Sequence, residues 1–218
     1  MLKIYTDKVT KIDQSTILEE KNNQILVYGY ESLGKVSYKY ELSGVESKLP
    51  TLSNLSKKAK GVVIAGAVTD NYGILKQSVI IADNGKLLGI SDCVLGYENS
   101  PYQVGGSFKV YNTSACKIGV VVGDDIKNFD GVRSMSLCDA DIIVAITPLE
   151  EKPQYNFLIR TYAYLFGVSI LLLTKTGVIA SDSLGEICAK SVEDKANLII
   201  PVKRQYVAYK SKRRGIKD

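Results

Sequence analysis

From Lys117 to Leu173 the chain alternates short apolar runs with amphipathic stretches, and this rhythm limits the possible folds more than any other feature. Lys117 to Val122 reads as a buried strand, with a turn at Gly123-Asp-Asp125. Asp130 to Cys138 suits a short helix, Ala140 to Ile146 a second strand, Tyr155 to Phe166 a helix and Val168 to Leu173 a third strand. Thr174 to Gly177 turns into Val178–Ala180. A further turn at Ser183-Leu-Gly185 precedes Ile187, and Asn197 to Pro201 closes the domain.

The first half is richer in strands. Gln24 to Tyr28 is a short buried run ending at Gly29. Lys48 to Lys60 places Leu49, Leu52, Leu55 and Ala59 on one helical face, with Gly61 as its stop. Val62 to Val68 follows as a strand. Gly73 to Ala82 and Lys86 to Ile90 flank Asp83-Asn-Gly85, a hairpin signal. Residues 91–107 are rich in Gly, Ser and Asn and read as loop. Strand–helix–strand units mixed with hairpins imply a layered α/β architecture with a mixed sheet. With 218 residues and no linker, one domain over residues 1–202 and a C-terminal tail over 203–218 are expected.

The chain contains no histidine. That removes Ser-His-Asp and Cys-His catalysis and His-ligated metals. An enzyme built on this sequence must use carboxylate, lysine, tyrosine or cysteine chemistry. The cysteines, Cys93, Cys116, Cys138 and Cys188, are widely spaced, with no C-x-x-C pair to hold zinc or form a redox couple. Neither a metal nor a cofactor is expected. The longest apolar run, Leu165 to Leu173, is far short of the ~20 residues that span a bilayer, and the first seven residues carry no signal-peptide core. A cytoplasmic protein without membrane association is expected.

The net charge of +5 is unevenly held. Residues 203–218 carry seven basic side chains and one acid, so the rest of the chain sums to −1. Nucleic-acid binding would have to use this tail, where Tyr206 and Tyr209 interleave with the charges. A solvated terminal arm is the simpler meaning of such a run.

The block Lys117 to Asp125, then Arg133, then Cys138-Asp-Ala-Asp-Ile-Ile-Val144, resembles the central signature of the nitrilase, or carbon–nitrogen hydrolase, superfamily. There a strand ends in a cysteine elbow, a helix follows with an arginine, and an Ala-Asp-Ile-type strand comes next. Gly61 to Gly66, the hairpin Gln77 to Gly89, Arg160 and Ser183-Leu-Gly-Glu186 are similar to its flanking segments, in the same order, over roughly residues 24–202. The resemblance implies an α-β-β-α sandwich that pairs as a homodimer.

Members of that superfamily hydrolyse amide or nitrile bonds with a Glu-Lys-Cys triad, which needs no histidine. The resemblance sets Gly123 at the cysteine position and Cys93 at the lysine position. Tyr30 falls at the glutamate position, with Glu31 one residue on. No lysine lies between Lys86 and Lys109. The expectation is an inactive member with a structural, regulatory or small-molecule-binding role, keeping a vestigial pocket at Tyr30, Glu31, Cys93, Gly123 and Asp124. The alternative is an active amidase with its nucleophile moved to Cys93 and Glu31 as base. Cys116, seven residues before Gly123, is about 23 Å away along a strand and cannot substitute. Asp124, Asp125 and Asp130 read either as an acidic helix start or as a cation site. Tyr28, Tyr30, Tyr97 and Tyr102 read either as pocket lining or as half-buried packing residues.

Overall fold

Side chains alternate in and out along the strands, and that alternation sorts the apolar residues into three layers. The computed structural model describes residues 1–14, 16, 24–45, 47–96 and 100–203. The tail from 204, with Tyr206 and Tyr209, and Tyr97 lie outside the described residues.

In chain order the elements are β1 (Leu2–Asp7), β2 (Ile25–Tyr28), β3 (Lys35–Ser37), α1 (Tyr38–Ser43), α2 (Lys48–Ala59), β4 (Val62–Asn71), β5 (Ile74–Asp83), β6 (Lys86–Asp92) and β7 (Lys109–Asn112). There follow β8 (Lys117–Val122), a 3-10 turn at Gly123–Lys127, α3 (Phe129–Leu137), β9 (Ile142–Ile146) and α4 (Pro153–Phe166). The described chain closes with β10 (Ser169–Leu173), β11 (Val178–Ser181), β12 (Ile187–Ser191) and β13 (Lys195–Ile200).

The strands form two sheets. One runs β13-β1-β2-β4-β5-β6, with β3 also on β4; the other runs β12-β11-β10-β9-β8-β7. Each is mixed: β8, β9 and β10 are parallel, while β10–β11 and β7–β8 are antiparallel. Ile4, Val27, Ile64 and Ile81 of the first sheet meet Val120, Val144 and Leu171 of the second in the central layer. The opposite parity on β4 and β5, Val63 and Ile80, packs under Leu52 and Leu55 of α2. On the second sheet, Val121, Ile143 and Ile170 pack under α3 and α4 through Met135, Ile159 and Phe166. This is the α-β-β-α sandwich expected from the sequence.

The turn chemistry agrees with the strand pairing. Asn84 and Gly85 both take positive φ (48° and 89°), as a two-residue hairpin of matching twist requires. The helix at 48–59 ends not on Gly61 but on Lys60, itself left-handed at φ 53°. Four elements were not anticipated: β1, β3, α1 and β7. β1 is the consequential one, since it pairs antiparallel with β13 and parallel with β2, tying the two ends of the described chain into one sheet. Among the described residues no helix is long and apolar enough to cross a membrane.

Candidate functional site

Gly123, Tyr30 and Cys93 each lie just beyond the C-terminal end of a strand: β8, β2 and β6. At Gly123 the backbone takes φ 60°, which lets the chain leave the extended strand and enter the 3-10 turn at once. A side chain on Gly123 would start 3.7 Å from the Cys93 sulfur and 3.3 Å from Oε1 of Gln77. The Cys93 sulfur therefore stands beside the place where the resemblance puts a nucleophile.

Cys93 is buried, and its single thiol hydrogen has two acceptors in reach, Oδ1 of Asp125 at 3.5 Å and the Leu95 carbonyl at 3.4 Å. Burial is the main force pushing the thiol up to about 12, and the Asp125 carboxylate adds to it. Asp125 is itself almost fully buried and accepts the backbone N–H groups of Val94 and Leu95, both at 2.7 Å. Its carboxyl is raised above the ordinary range by desolvation, while those two hydrogen bonds pull it back. Asp125 thus holds the segment after β6 against the end of β8.

Tyr30 reaches the site because its backbone crosses directly over Gly66 of β4; any Cβ there would strike the Tyr30 main chain. The Gly66 carbonyl accepts from the Leu33 N–H, and its own N–H donates to the Gly29 carbonyl. The Tyr30 hydroxyl is buried, with the Gln77 side chain beside it. Desolvation raises its pKa first, with Tyr102 and Cys93 contributing. Glu31 points elsewhere. Its side chain is 70% exposed and pairs with Lys11 at 3.4 Å.

The remaining cavity holds only about 100 Å³, lined by Gln77, Cys93, Tyr102, Gly123, Asp124 and Leu149 among others. Asp124 is bound to Lys127 at 2.8 Å and accepts from the Tyr155 hydroxyl at 3.3 Å. Burial, then Asp124, pushes that hydroxyl up to about 12. All three aspartates fall at a helix start: Asp124 and Asp125 in the first turn of the 3-10 segment, and Asp130 in that of α3, whose cap is Asn128 accepting from the Gly131 N–H. No group of three or more metal-ligating side chains converges among the described residues.

Of the sequence candidates, the structure brings together Tyr30, Cys93, Gly123, Asp124 and Tyr102. It leaves Glu31 at the surface and puts Tyr28 on the far face of its sheet, edge-on to Tyr5. Cys116 precedes β8 at its opposite end. Asp125 and Gln77 are the residues that sequence reasoning missed as site components. Asp125 was visible only as one of three acids near a strand end, and Gln77 carried no signal. Chemically, the cluster offers a protonated thiol, a phenol and a carboxamide around a small space.

The model of the carbon-nitrogen hydrolase family matches residues 25–206. Among curated proteins, the chain is 25% identical over 167 residues to the probable nitrilase C965.09 of Schizosaccharomyces pombe, covering 74% of this chain and 61% of that protein. It thus spans less than two thirds of that relative's length. Among solved structures, it superposes on a mutant of an amidase from Nesterenkonia sp. AN1, with acrylamide added at the active-site cysteine. The TM-score is 0.77, with 15% identity and coverage of 98% and 97% of the two chains. A carbon-nitrogen hydrolase from Helicobacter pylori G27 gives 0.72, with 15% identity and coverage of 92% and 89%. At these identities the superpositions speak for the fold alone.

Proposed function

Because this chain belongs to the carbon–nitrogen hydrolase family, we propose that it is a member without hydrolytic activity, acting in a structural or regulatory capacity. One observation carries the reading: the strand end at Gly123 offers a hydrogen atom, and the nearest sulfur, that of Cys93, is locked as a thiol against Asp125. A nucleophilic cysteine needs a thiolate, favoured by nearby positive charge. Here the neighbouring charge is negative and the group is desolvated. The lysine-free stretch from Leu87 to Phe108 leaves a developing oxyanion without its cation. A residual volume of about 100 Å³ also falls well below the ~300–1,000 Å³ of ordinary small-molecule sites.

The test is ammonia release from a panel of short aliphatic and aromatic amides and nitriles, with iodoacetamide labelling mapped by mass spectrometry. The expected result is no turnover above buffer, with the exposed Cys138 labelled first and Cys93 last. Turnover that disappears in Cys93→Ala would overturn the proposal.

That outcome would support the second reading, an amidase with its nucleophile at Cys93. The 3.7 Å between this sulfur and the side-chain position of Gly123 favours it. Against it stand the charge of Asp125 and the surface position of Glu31, its candidate base.

The proposal extends to a homodimer in the cytoplasm, with residues 1–202 as one domain and 203–218 as a solvated basic tail. Exposed apolar side chains on α4, Phe157 and Tyr164, with Leu184 beside them, support self-association. The four free cysteines suit a reducing compartment. Light scattering tests the first point. Nucleic-acid affinity that vanishes with salt and with deletion of 204–218 would reassign the tail.

A further inference from the structure

A second concavity, an open groove sharing no residue with the Gly123 pocket, lies between β3, α1, the start of α2 and the β4–β5 hairpin. Its volume of about 330 Å³ lies within the ~300–1,000 Å³ range of small-molecule sites. Three lysines line it, Lys35, Lys39 and Lys48. Lys35 is paired with Asp70 at 2.7 Å, and the same carboxylate accepts the Gly73 N–H at 2.7 Å, so Asp70 is fully engaged. The other acid nearby, Glu41, accepts the backbone N–H of Lys48 at 2.6 Å. Lys39 and Lys48 have no ion-pair partner among the described residues. Ser37, at the N-cap position of α1, makes no side-chain cap bond and is also part of the lining.

Two exposed rings complete the lining. Tyr40 lies on α1, and Tyr72 sits at the tip of the β4–β5 hairpin, 73% exposed. Tyr72 and Gly73 form a two-residue turn with φ of 51° and 94°. The first place in such a turn favours Asn, Asp or Gly, and a bulky ring there is disfavoured. A conformational cost of this kind, carried by an exposed aromatic beside unpaired cations, is the pattern of a binding residue rather than a packing one. Rings supply stacking faces, lysines supply point charges for phosphate, and the hydroxyl adds a donor.

We propose that this groove binds a mononucleotide, with the base against Tyr72 and Tyr40 and the phosphate on Lys39 and Lys48. The test is calorimetric titration of the full chain with AMP, adenosine and inorganic phosphate at two salt concentrations. AMP binds at least about tenfold more tightly than either fragment, and its affinity falls as salt rises. Lys39→Ala with Lys48→Ala weakens AMP by about tenfold and leaves adenosine unchanged. Tyr72→Asn, which suits the turn, weakens AMP and adenosine alike while phosphate is unaffected. Melting temperatures at or above the parent's show that the variants are folded. No AMP binding at millimolar concentration overturns the proposal. So does phosphate binding as tightly as AMP, or AMP binding indifferent to these substitutions.

Discussion

The thiol of Cys93 and the carboxylate of Asp125 lie 3.5 Å apart, and their effects on each other are opposite in sign. The carboxylate makes the thiolate harder to form, while the donated S–H helps the carboxylate to stay ionised. When the two share a single proton, it resides on sulfur. In charge this is the reverse of a catalytic thiolate.

Replacing Asp125 should therefore act on both stability and reactivity. Asp125→Ala leaves the part-buried N–H groups of Val94 and Leu95 without their acceptor, a loss of roughly 1–3 kcal/mol. Asp125→Asn keeps one acceptor oxygen and removes the charge, so Cys93 alkylates faster than in the parent at the same pH. Urea denaturation measures the first effect and timed mass spectrometry the second. An unchanged urea midpoint for the alanine variant would contradict the geometry.

Gly123→Cys should place a second sulfur within bonding reach of Cys93, since its Cβ starts 3.7 Å from that sulfur. Mild oxidation is expected to remove two thiols from the variant and none from the parent. The left-handed backbone at φ 60° costs a cysteine about 1–2 kcal/mol before oxidation. Amide hydrolysis is not expected to return, because the proposed matching puts Cys93 and Tyr30 at the lysine and glutamate positions. Hydrolysis by this single variant would show that those two positions are wrongly matched.

Protonation should be visible in the pH dependence of stability. The folded pKa of Asp125 lies above its unfolded value of about 3.9. The folded state then holds the proton more tightly, so this group's contribution is fully present below about pH 3.9. It is lost as pH rises through the folded value. Asp70 has a depressed pKa and works the other way: its contribution is present above the ordinary carboxylate range and fades as acid protonates it. Comparing urea midpoints of the parent with Asp125→Asn isolates the first trend. The parent should gain on the variant as pH falls, and a widening deficit would be the wrong sign.

Tyr72→Asn should stabilise the protein by about 0.5–1 kcal/mol, because asparagine tolerates the left-handed turn that tyrosine occupies at φ 51°. A higher melting temperature is the expected readout. A lower one would mean that the ring packs against the body of the protein.

The local plan was legible along the chain. The apolar runs at 117–122, 142–146 and 169–173, the helices between them and the Asn84-Gly85 hairpin follow from periodicity and turn chemistry, which act over a few residues. So does the elbow at Gly123, where a glycine after a buried strand marks a backbone that must turn sharply. β1 was missed because Lys3, Thr6 and Asp7 interrupt its apolar residues, so it declares itself a strand only through its partners β2 and β13, the latter nearly 200 residues away in the chain. What the tertiary structure alone decided is which neighbours face which. Tyr30 and Glu31 are adjacent in sequence, yet one enters the pocket over Gly66 and the other pairs with Lys11 in solvent. Asp124 and Asp125 likewise diverge, one to Lys127 and Tyr155, the other to Cys93 and the segment behind it. Successive residues in a turn point in different directions, and only the packing of the two sheets says what lies in each.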